Sequence, residues 1–323
     1  MAKMQRQRRD DASDAAYYSD FRTFAPFLAP FLAALLTLGV ALSLPLPASA
    51  RWGVQHCPAN ARLVGASPPS GFERYCMREH DGDFLRHGAY RSWYDNGRKL
   101  VFGRYAHGER EGQWYEWFDD GAKKAQGQWR GGKRNGRVQR WLHDGKLQLD
   151  ETWREGKRDG VARSWHPNKH LATTATWRDG KIEGVTLSYH DNGLEARKGS
   201  YDKGQQHGLW LEWHDNGQAK SRGTYDEGQE NGDFQAWHPT GAMDWSGHFE
   251  RGAKHGEFVS YRVDGSVASR LQWRFDKRQG PARTFHPSGK TATETVYVDD
   301  VVTGTIRAWH DGGGLESETD YVL

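Results

Sequence analysis

The feature that most constrains the fold is a period of 24 residues, which runs through the sequence from residue 88 onward. A glycine recurs at this period ten times without an insertion or a gap. The ten glycines are Gly88, Gly112, Gly136, Gly160, Gly184, Gly208, Gly232, Gly256, Gly280 and Gly304. A fixed period of this length is typical of repeat architectures, in which each copy buries its surface against the next. We therefore expect one repeat domain over residues 88–323.

Each copy carries two aromatic residues at fixed distances from its glycine. The first column, five residues after the glycine, contains Trp93, Trp117, Trp141, Trp165, Tyr189, Trp213, Trp237, Tyr261, Phe285 and Trp309. The second column, seventeen residues after it, contains Tyr105, Trp129, Trp153, Trp177, Tyr201, Tyr225, Phe249, Trp273, Tyr297 and Tyr321. Because all twenty positions are filled, we interpret both columns as the structural core of the repeats.

Two turn signals divide each copy into two segments. The first is a pair such as Asn96-Gly97, which favours a tight hairpin turn with positive φ at both central residues. The second is a glycine four residues before the next repeat glycine, as at Gly204, and Asp276 and Asp300 replace it at the last two junctions. The segments between the turns have about six to eight residues, the usual length of strands. Each copy is therefore predicted to form a β-hairpin.

The composition agrees with a fold that lacks a large aliphatic core. Hydrophobic residues make up 36% of the chain, while it contains 39 glycines and 15 tryptophans. In the first segment, Trp114 and Trp117 stand three residues apart, which predicts a bulge or a strong local twist. The predicted fold class is all-β: an elongated, single-layer antiparallel meander of ten 24-residue β-hairpins with a short N-terminal cap.

Residues 1–50 are predicted to be an export signal. Basic residues such as Lys3 and Arg9 precede a charge-free apolar run of fourteen residues, 31–44, which is shorter than the ~20 residues of a spanning helix. Ala48-Ser49-Ala50 supplies the small residues of a cleavage site. A single-pass membrane anchor is the alternative, because the segment ahead of residue 31 is long. Both readings place the rest of the chain outside the cytoplasm, in the periplasm or the extracellular space.

Residues 51–87 are predicted to form a small capping segment. It contains the only two cysteines, Cys57 and Cys76. In an exported chain this pair most simply forms one disulfide, with two unpaired thiols as the alternative. No further ligands stand at a spacing that suits a metal, so neither a metal nor a cofactor is predicted.

The repeat unit is similar to a known family. Residues 201–208, followed by Trp213-His214-Asp215-Asn216-Gly217, resemble the MORN repeat, and in particular the bacterial variant of proteins labelled YwqK-like antitoxins. The Gly-x-Gly of the eukaryotic form becomes Gly-x-Trp or Gly-x-Phe, as in Gly208-Leu209-Trp210. The resemblance implies a single sheet used for protein contacts, assembly or membrane association. The antitoxin label implies a toxin as the bound partner.

Two groups of residues outside these columns are candidates for binding a ligand or a partner. The rings of Trp114, Trp210 and Trp245 are not required by the repeat, so we expect them on a binding surface. Six copies place a histidine directly after the first-column aromatic: His166, His190, His214, His238, His286 and His310. A metal cannot join them, since equivalent positions of successive hairpins lie ~10 Å apart. In the structural interpretation, these imidazoles hydrogen-bond the next loop. In the functional interpretation, His190, His214 and His238 make partner binding depend on pH.

The sequence contains none of the motifs of common enzymes, such as a P-loop or His-Glu-x-x-His. With 45 basic and 42 acidic residues the net charge is +3, which argues against nucleic acid as a partner. We predict a non-enzymatic, exported scaffold that binds another protein, of which an antitoxin or immunity protein is one form. The alternative is a module that binds a glycan or lipid of the cell envelope through exposed rings and a basic rim, as at Lys133-Arg134.

Overall fold

The computed structural model describes residues 24–25 and 56–321, and every regular element in them is a strand. The strands are β1 Phe24–Ala25, β2 Arg62–Ala66, β3 Glu73–His80, β4 Asp83–Trp93, β5 Lys99–Ala106, β6 Glu109–Trp117, β7 Lys123–Arg130, β8 Lys133–Trp141, β9 Leu147–Arg154, β10 Lys157–Arg158, β11 Gly160–Trp165, β12 Leu171–Arg178, β13 Lys181–Tyr189, β14 Glu195–Asp202, β15 Gln205–Trp213, β16 Ala219–Asp226, β17 Gln229–Glu230, β18 Gly232–Trp237, β19 Met243–Glu250, β20 Ala253–Tyr261, β21 Val267–Arg274, β22 Lys277–Phe285, β23 Thr291–Val298, β24 Val301–Trp309 and β25 Leu315–Tyr321. In these residues no helix has the length and apolar character needed to cross a membrane. Apart from β1, the predicted export signal lies outside the described residues.

Neighbouring strands pair antiparallel, and the hairpins follow one another in an open sheet. The predicted all-β meander of hairpins is thereby confirmed. The capping segment continues the pattern, because β2 pairs with β3 and β3 pairs with β4. Its two cysteines, Cys57 and Cys76, form the predicted disulfide.

The chain divides into two compact units, each with its own buried side chains. Among the described residues, the N-terminal unit comprises residues 56–193 and 200–205, and the C-terminal unit comprises residues 24–25, 194–199 and 206–321. Buried hydrophobic residues of the N-terminal unit are Cys76, Tyr105, Trp114, Val138 and Leu149. Those of the C-terminal unit are Ala196, Trp210, Trp213, Ala219, Phe234, Ala236, Phe249, Val259 and Ala282.

The first turn of each copy differs from its predicted geometry. In the loop between Tyr94 and Arg98, only Gly97 takes a positive φ, of 78°. The Gly97 amide donates to the Tyr94 carbonyl at 2.9 Å, and the Tyr94 amide donates to the Arg98 carbonyl at 2.8 Å. This is a three-residue loop, a type I turn closed by a glycine in the left-handed region. The prediction of two positive φ values was wrong here, because the loop has three residues and not two.

The same turn supplies the predicted bulge. The register between β4 and β5 shifts between Ser92 and Trp93, so that Trp93 pairs with Lys99. An equivalent shift occurs between Glu116 and Trp117 in the next copy. The bulge places Lys99 on the same face of the sheet as Trp93. The three-residue spacing of Trp114 and Trp117 needs no bulge, because strand alternation places these two rings on opposite faces.

Positive φ at both central residues occurs instead in the second turn, as at His107 with 49° and Gly108 with 84°. The two junctions without glycine keep this geometry, since Asp276 and Asp300 have φ values of 65° and 71°. Aspartate tolerates this region because its carboxylate can hydrogen-bond nearby backbone. The Asp276 carboxylate accepts a hydrogen bond from the Lys254 amide at 2.9 Å.

The side chains two residues after each repeat glycine form a third column, and in five copies this side chain packs on a glycine of the preceding hairpin. A Cβ atom added to Gly103 would lie 2.1 Å from the Trp114 ring, and one added to Gly199 would lie 2.1 Å from the Trp210 ring. Trp114 and Trp210 are accordingly only 4% and 2% exposed. The expectation that these two rings lie on an open surface was wrong, because the missing glycine side chains create the space that buries them.

Residue size alternates across this contact. Gly127 faces Val138, Gly223 faces Phe234 and Gly247 faces Phe258 in the same way as the two tryptophan pairs. At the two positions where a large side chain replaces the glycine, the residue eleven positions later is alanine: Glu151 precedes Ala162, and Leu271 precedes Ala282. Each hairpin therefore matches the volume offered by the one before it.

The phenol of Tyr90 provides a test of this packing in solution. Its ring lies 5.7 Å from Trp114 and 5.5 Å from Tyr105, centroid to centroid. Burial, with a contribution from the Glu73 carboxylate, raises the pKa of Tyr90 to about 12. The same phenol in the unfolded chain has a pKa of about 10, so from about pH 10 to 12 only the folded state keeps the proton.

Stability should consequently fall as the pH rises through this window, and Tyr90→Phe should remove part of the fall. Urea unfolding of both chains at pH 8 and at about pH 11 measures the difference. Equal losses of unfolding free energy in the two chains would contradict the raised pKa.

Candidate functional site

The face opposite the buried third column carries the candidate site. Strand alternation places the side chains three and five residues after each repeat glycine on this face, and the bulge adds the cross-strand partners of the first aromatic column. The contacts agree: the Tyr115 and Trp117 rings lie 6.0 Å apart, and the Lys123 ammonium lies 4.6 Å from the Trp141 ring. We call this surface the first-column face.

A single cross-strand row runs along this face in the N-terminal unit. Arg74 of β3 lies opposite Arg91 of β4, and Arg91 lies opposite Phe102 of β5. The row continues through Tyr115 and Gln126, each opposite its neighbour. Directly opposite residues on one face have Cβ atoms about 5 Å apart. The beginning of the row therefore places two guanidinium groups side by side.

Arg74 and Arg91 line a surface cavity of about 750 Å³. Its walls are formed by Ser67, Arg74, Arg91, Trp93, Gly97, Arg98, Lys99, Trp117, Asp120 and Gly121. Four of the ten are cationic and one is a carboxylate. The first turns of the copies supply Gly97, Arg98, Asp120 and Gly121, while the strands supply Arg74, Arg91, Lys99 and the two indoles. We call this site the cationic cavity.

The charges inside the cationic cavity repel one another. Burial lowers the pKa of Arg91, and the neighbouring Arg74 lowers it further. Burial likewise lowers the pKa of Lys99, with a further contribution from Arg91. The Lys99 ammonium lies 5.7 Å from the centroid of the Trp117 ring, a distance at which a ring face attracts a cation. The cavity thus keeps several cations close together in a half-buried setting.

Equivalent arginines in the C-terminal unit are neutralised. Arg283 occupies the position of Arg91 in its copy and lies opposite Glu294, with 2.5 Å between nitrogen and oxygen. Arg307 lies opposite Glu318, at 3.0 Å. In the copy that contains Arg91, the residue at the position of these glutamates is Phe102. The repeat can therefore hold a carboxylate opposite this arginine, and in the cationic cavity the same position holds the Phe102 ring.

Three of the six histidines after the first column contact the backbone of the next copy. Nε2 of His166, His214 and His286 lies 2.8, 2.9 and 2.6 Å from the carbonyl oxygen of the first-column aromatic in the next copy. Tyr94 donates its hydroxyl to the Trp117 carbonyl in the same way, at 2.8 Å. The structural interpretation of these three imidazoles is confirmed.

The other sequence candidates lie apart from the cationic cavity. His190 is half-buried, and Nε2 of His238 lies 3.5 Å from the Asp244 carboxylate. The Trp245 ring is stacked on Phe258 at 6.0 Å. With Trp114 and Trp210 in the core, none of the six predicted binding residues contributes to the cavity wall.

Sequence reasoning also missed an arginine ladder on the opposite face. Guanidinium groups two residues before successive repeat glycines lie between rings of the second column. Arg134 lies 5.6 Å from Trp129 and 4.9 Å from Trp153, and Arg158 lies 5.5 Å from Trp153 and 4.9 Å from Trp177. Of the basic pairs predicted to form a rim, Lys133 and Lys157 are exposed, whereas Arg134 and Arg158 are half-buried against rings. Alternation of arginine and aromatic at this spacing was the available signal.

One group of potential metal ligands occurs in residues 56–321. Asp119, Asp120 and His143 place ligand atoms within 4.8 Å of one another, and all three are exposed. The His143 imidazole lies 3.4 Å from the Asp120 carboxylate and 3.9 Å from that of Asp119. Ion pairing in solvent accounts for this arrangement.

The hairpins, the glycine-ring contacts and the uncovered first-column face define a β-hairpin repeat protein. Residues 206–227 match the family model described as the MORN repeat variant. The match and the in-phase strands on either side of it support a MORN-repeat protein. Repeats of this kind are generally scaffolds that bind proteins or membranes.

Two solved structures are similar to the chain. Their titles are "Crystal Structure of TcdB2-TccC3-Cdc42" and "Crystal Structure of TcdB2-TccC3 without hypervariable C-terminal region". Each is 9% identical, with a TM-score of 0.18, over 80% of this chain and 17% of its own. The chain therefore spans less than a fifth of the structures it matches. No curated protein matches it.

Proposed function

We propose that the chain is a non-enzymatic, exported scaffold that binds another protein with its first-column face. The observation that carries the proposal is the exposure of this column. Nine of its ten aromatics keep part of their surface accessible, and only Trp213 is buried. Half-exposed tryptophan and tyrosine rings are the residues most enriched at the centres of protein interfaces.

The export signal predicted from residues 1–50 and the disulfide between Cys57 and Cys76 support a location outside the cytoplasm, because disulfides persist in oxidising compartments. The similarity of the repeat unit to YwqK-like antitoxins supports a toxin as one form of partner. An exported antitoxin would act as an immunity protein, with the first-column face covering the toxin.

Two tryptophans of one hairpin test this proposal. Trp165 belongs to the first column and Trp177 to the second, and both are half-buried. We expect Trp165→Ala to weaken retention of a protein partner by about tenfold or more, the scale of an interface hot spot. Trp177→Ala, on the opposite face, should leave retention unchanged at a comparable cost in stability.

The measurement is quantitative pull-down from the envelope fraction with the chain that starts at residue 51, followed by mass spectrometry. Retention should persist at raised salt, because ring contacts are screened far less than exposed charges. Equal retention by the two variants would contradict the choice of face.

A second function is favoured by one specific observation. The cationic cavity combines two indoles with four cations, which suits binding of a glycan or lipid of the cell envelope. Retention on wall or membrane material that falls steeply with salt would identify this function.

A further inference from the structure

We propose that the cationic cavity binds an acidic sugar, meaning a pyranose ring that carries a carboxylate or a phosphate. The proposal narrows the second function given above and rests on it. Three features of the cavity carry it: its like-charged walls, its indoles and the confinement of its charge.

The first feature is the direct opposition of Arg74 and Arg91 across β3 and β4. Like charges directly opposite on one face of a sheet are destabilising. Lys99 and Arg98 add to the same cavity wall, against the single carboxylate of Asp120. An arrangement that costs stability without a ligand is typical of a binding site, since a bound anion relieves the repulsion. Guanidinium groups suit a carboxylate or phosphate because they can donate two parallel hydrogen bonds to it.

The second feature is the pair of indoles. Trp93 and Trp117 are both half-buried and both line the cavity. Indole rings offer flat apolar surfaces with a polar edge, which match the C–H face and the hydroxyl rim of a pyranose. The cavity volume of about 750 Å³ lies within the range of about 300–1,000 Å³ of small-molecule sites, and accommodates one or two sugar rings.

The third feature is that no continuous run of cations extends from the cavity along its cross-strand row. After Arg91 the row is neutral through Phe102, Tyr115, Gln126 and Gln139, and the next two charged residues, Asp150 and Arg163, have opposite signs and lie opposite each other. A membrane surface or a nucleic acid would require basic residues along the face, since both present extended negative charge. A discrete anionic group needs only the few cations of the cavity.

Isothermal titration calorimetry with the chain from residue 51 tests the proposal. The probes are glucuronate, glucose 6-phosphate, glucose and inorganic phosphate. We expect at least one acidic sugar to bind about tenfold or more tightly than glucose and than inorganic phosphate. Glucose binding as tightly, or phosphate alone binding as tightly, would overturn the proposal, because charge or ring would then not be recognised.

Equivalent residues in different copies provide matched variants. Arg91→Gln should weaken acidic-sugar binding by about tenfold or more, whereas Arg283→Gln, at the same repeat position but paired with Glu294, should leave it within about twofold. Trp117→Ala should weaken it, and Trp309→Ala should not. Equal effects of Arg91→Gln and Arg283→Gln would overturn the assignment of the site.

Two further arms separate this proposal from the function on which it rests. Vesicles of phosphatidylglycerol that retain the chain in an Arg91-dependent manner, without sugar binding, would replace the sugar by a lipid surface. Envelope glycan that retains the chain equally with and without Arg91→Gln would leave the second function standing and overturn the cavity as its site. Absence of binding to sugars, vesicles and envelope material alike would overturn both.

Discussion

Gly199→Ala is expected to lower the free energy of unfolding by about 2–4 kcal/mol, the range of overpacked or emptied cores. The added methyl group would lie 2.1 Å from Cδ2 and 2.3 Å from Cε2 of Trp210. Trp210 is 2% exposed, so its ring has no free space to enter. Either the ring leaves its site or the two strands separate, and both lose buried contacts. Urea titration monitored by tryptophan fluorescence measures the change.

Gly312→Ala is the matched control. A Cβ atom at Gly312 would meet no atom within 4 Å, and its φ lies outside the left-handed region. Alanine there should be neutral or slightly stabilising, because it reduces the freedom of the unfolded chain. Similar losses in the two variants would show that glycine itself, and not the ring contact, determines stability.

Arg158→Met is expected to cost about 3–5 kcal/mol, the range for breaking a buried ion pair by removing one partner. Glu151 is 3% exposed and occupies the position that is glycine in five other copies. Its carboxylate accepts hydrogen bonds from Nε of Arg158 and from Nε1 of Trp153, both at 2.8 Å. Without the guanidinium, the carboxylate remains buried beside the indole and loses its countercharge.

Arg154→Met removes a similar pair at the surface. Arg154 is 60% exposed and pairs with Asp159, so its loss should cost no more than about 1 kcal/mol. The double variant Glu151→Met with Arg158→Met should recover most of the stability lost in Arg158→Met, since two apolar side chains can replace a buried pair. Thermal unfolding of the three variants measures these differences. A double variant as unstable as Arg158→Met would mean that the arginine acts mainly through its contacts with Trp153 and Trp177.

The period of the sequence was sufficient to predict the fold, because ten copies in phase repeat the same alternation of turn and strand. The period did not predict the type of the first turn, because Asn-Gly is compatible with loops of two and of three residues. The hydrogen bonds of Tyr94 show that the loop has three. The buried role of Trp114 was missed because its partner, Gly103, belongs to the preceding copy. Comparison of positions within one copy therefore does not show the contact.

The candidate site was missed for a related reason. Arg74 lies in the capping segment, outside the period, and meets Arg91 only through the register of β3 and β4. The residues opposite these arginines, Phe102 for Arg91 but glutamates for Arg283 and Arg307, become apparent only when the cross-strand register is known. The sequence favours isolated rings such as Trp245 as candidates, whereas the structure groups cations and half-buried indoles in one cavity.

Each third-column side chain faces a residue of the preceding hairpin, often a glycine. This contact between copies limits how such an array can grow or be rebuilt. A duplicated, deleted or transplanted copy that begins at its repeat glycine separates a large side chain from the gap that receives it. The Trp210 copy placed after the hairpin of Leu271, for example, would set an indole against a leucine. A unit that keeps each contact intact instead begins after the first turn of one copy, ahead of the residue that faces the third column, and ends at the same point of the next copy. Grafts and deletions cut at that point should fold, and those cut at the repeat glycine should succeed only where neighbouring copies have the same size at both positions.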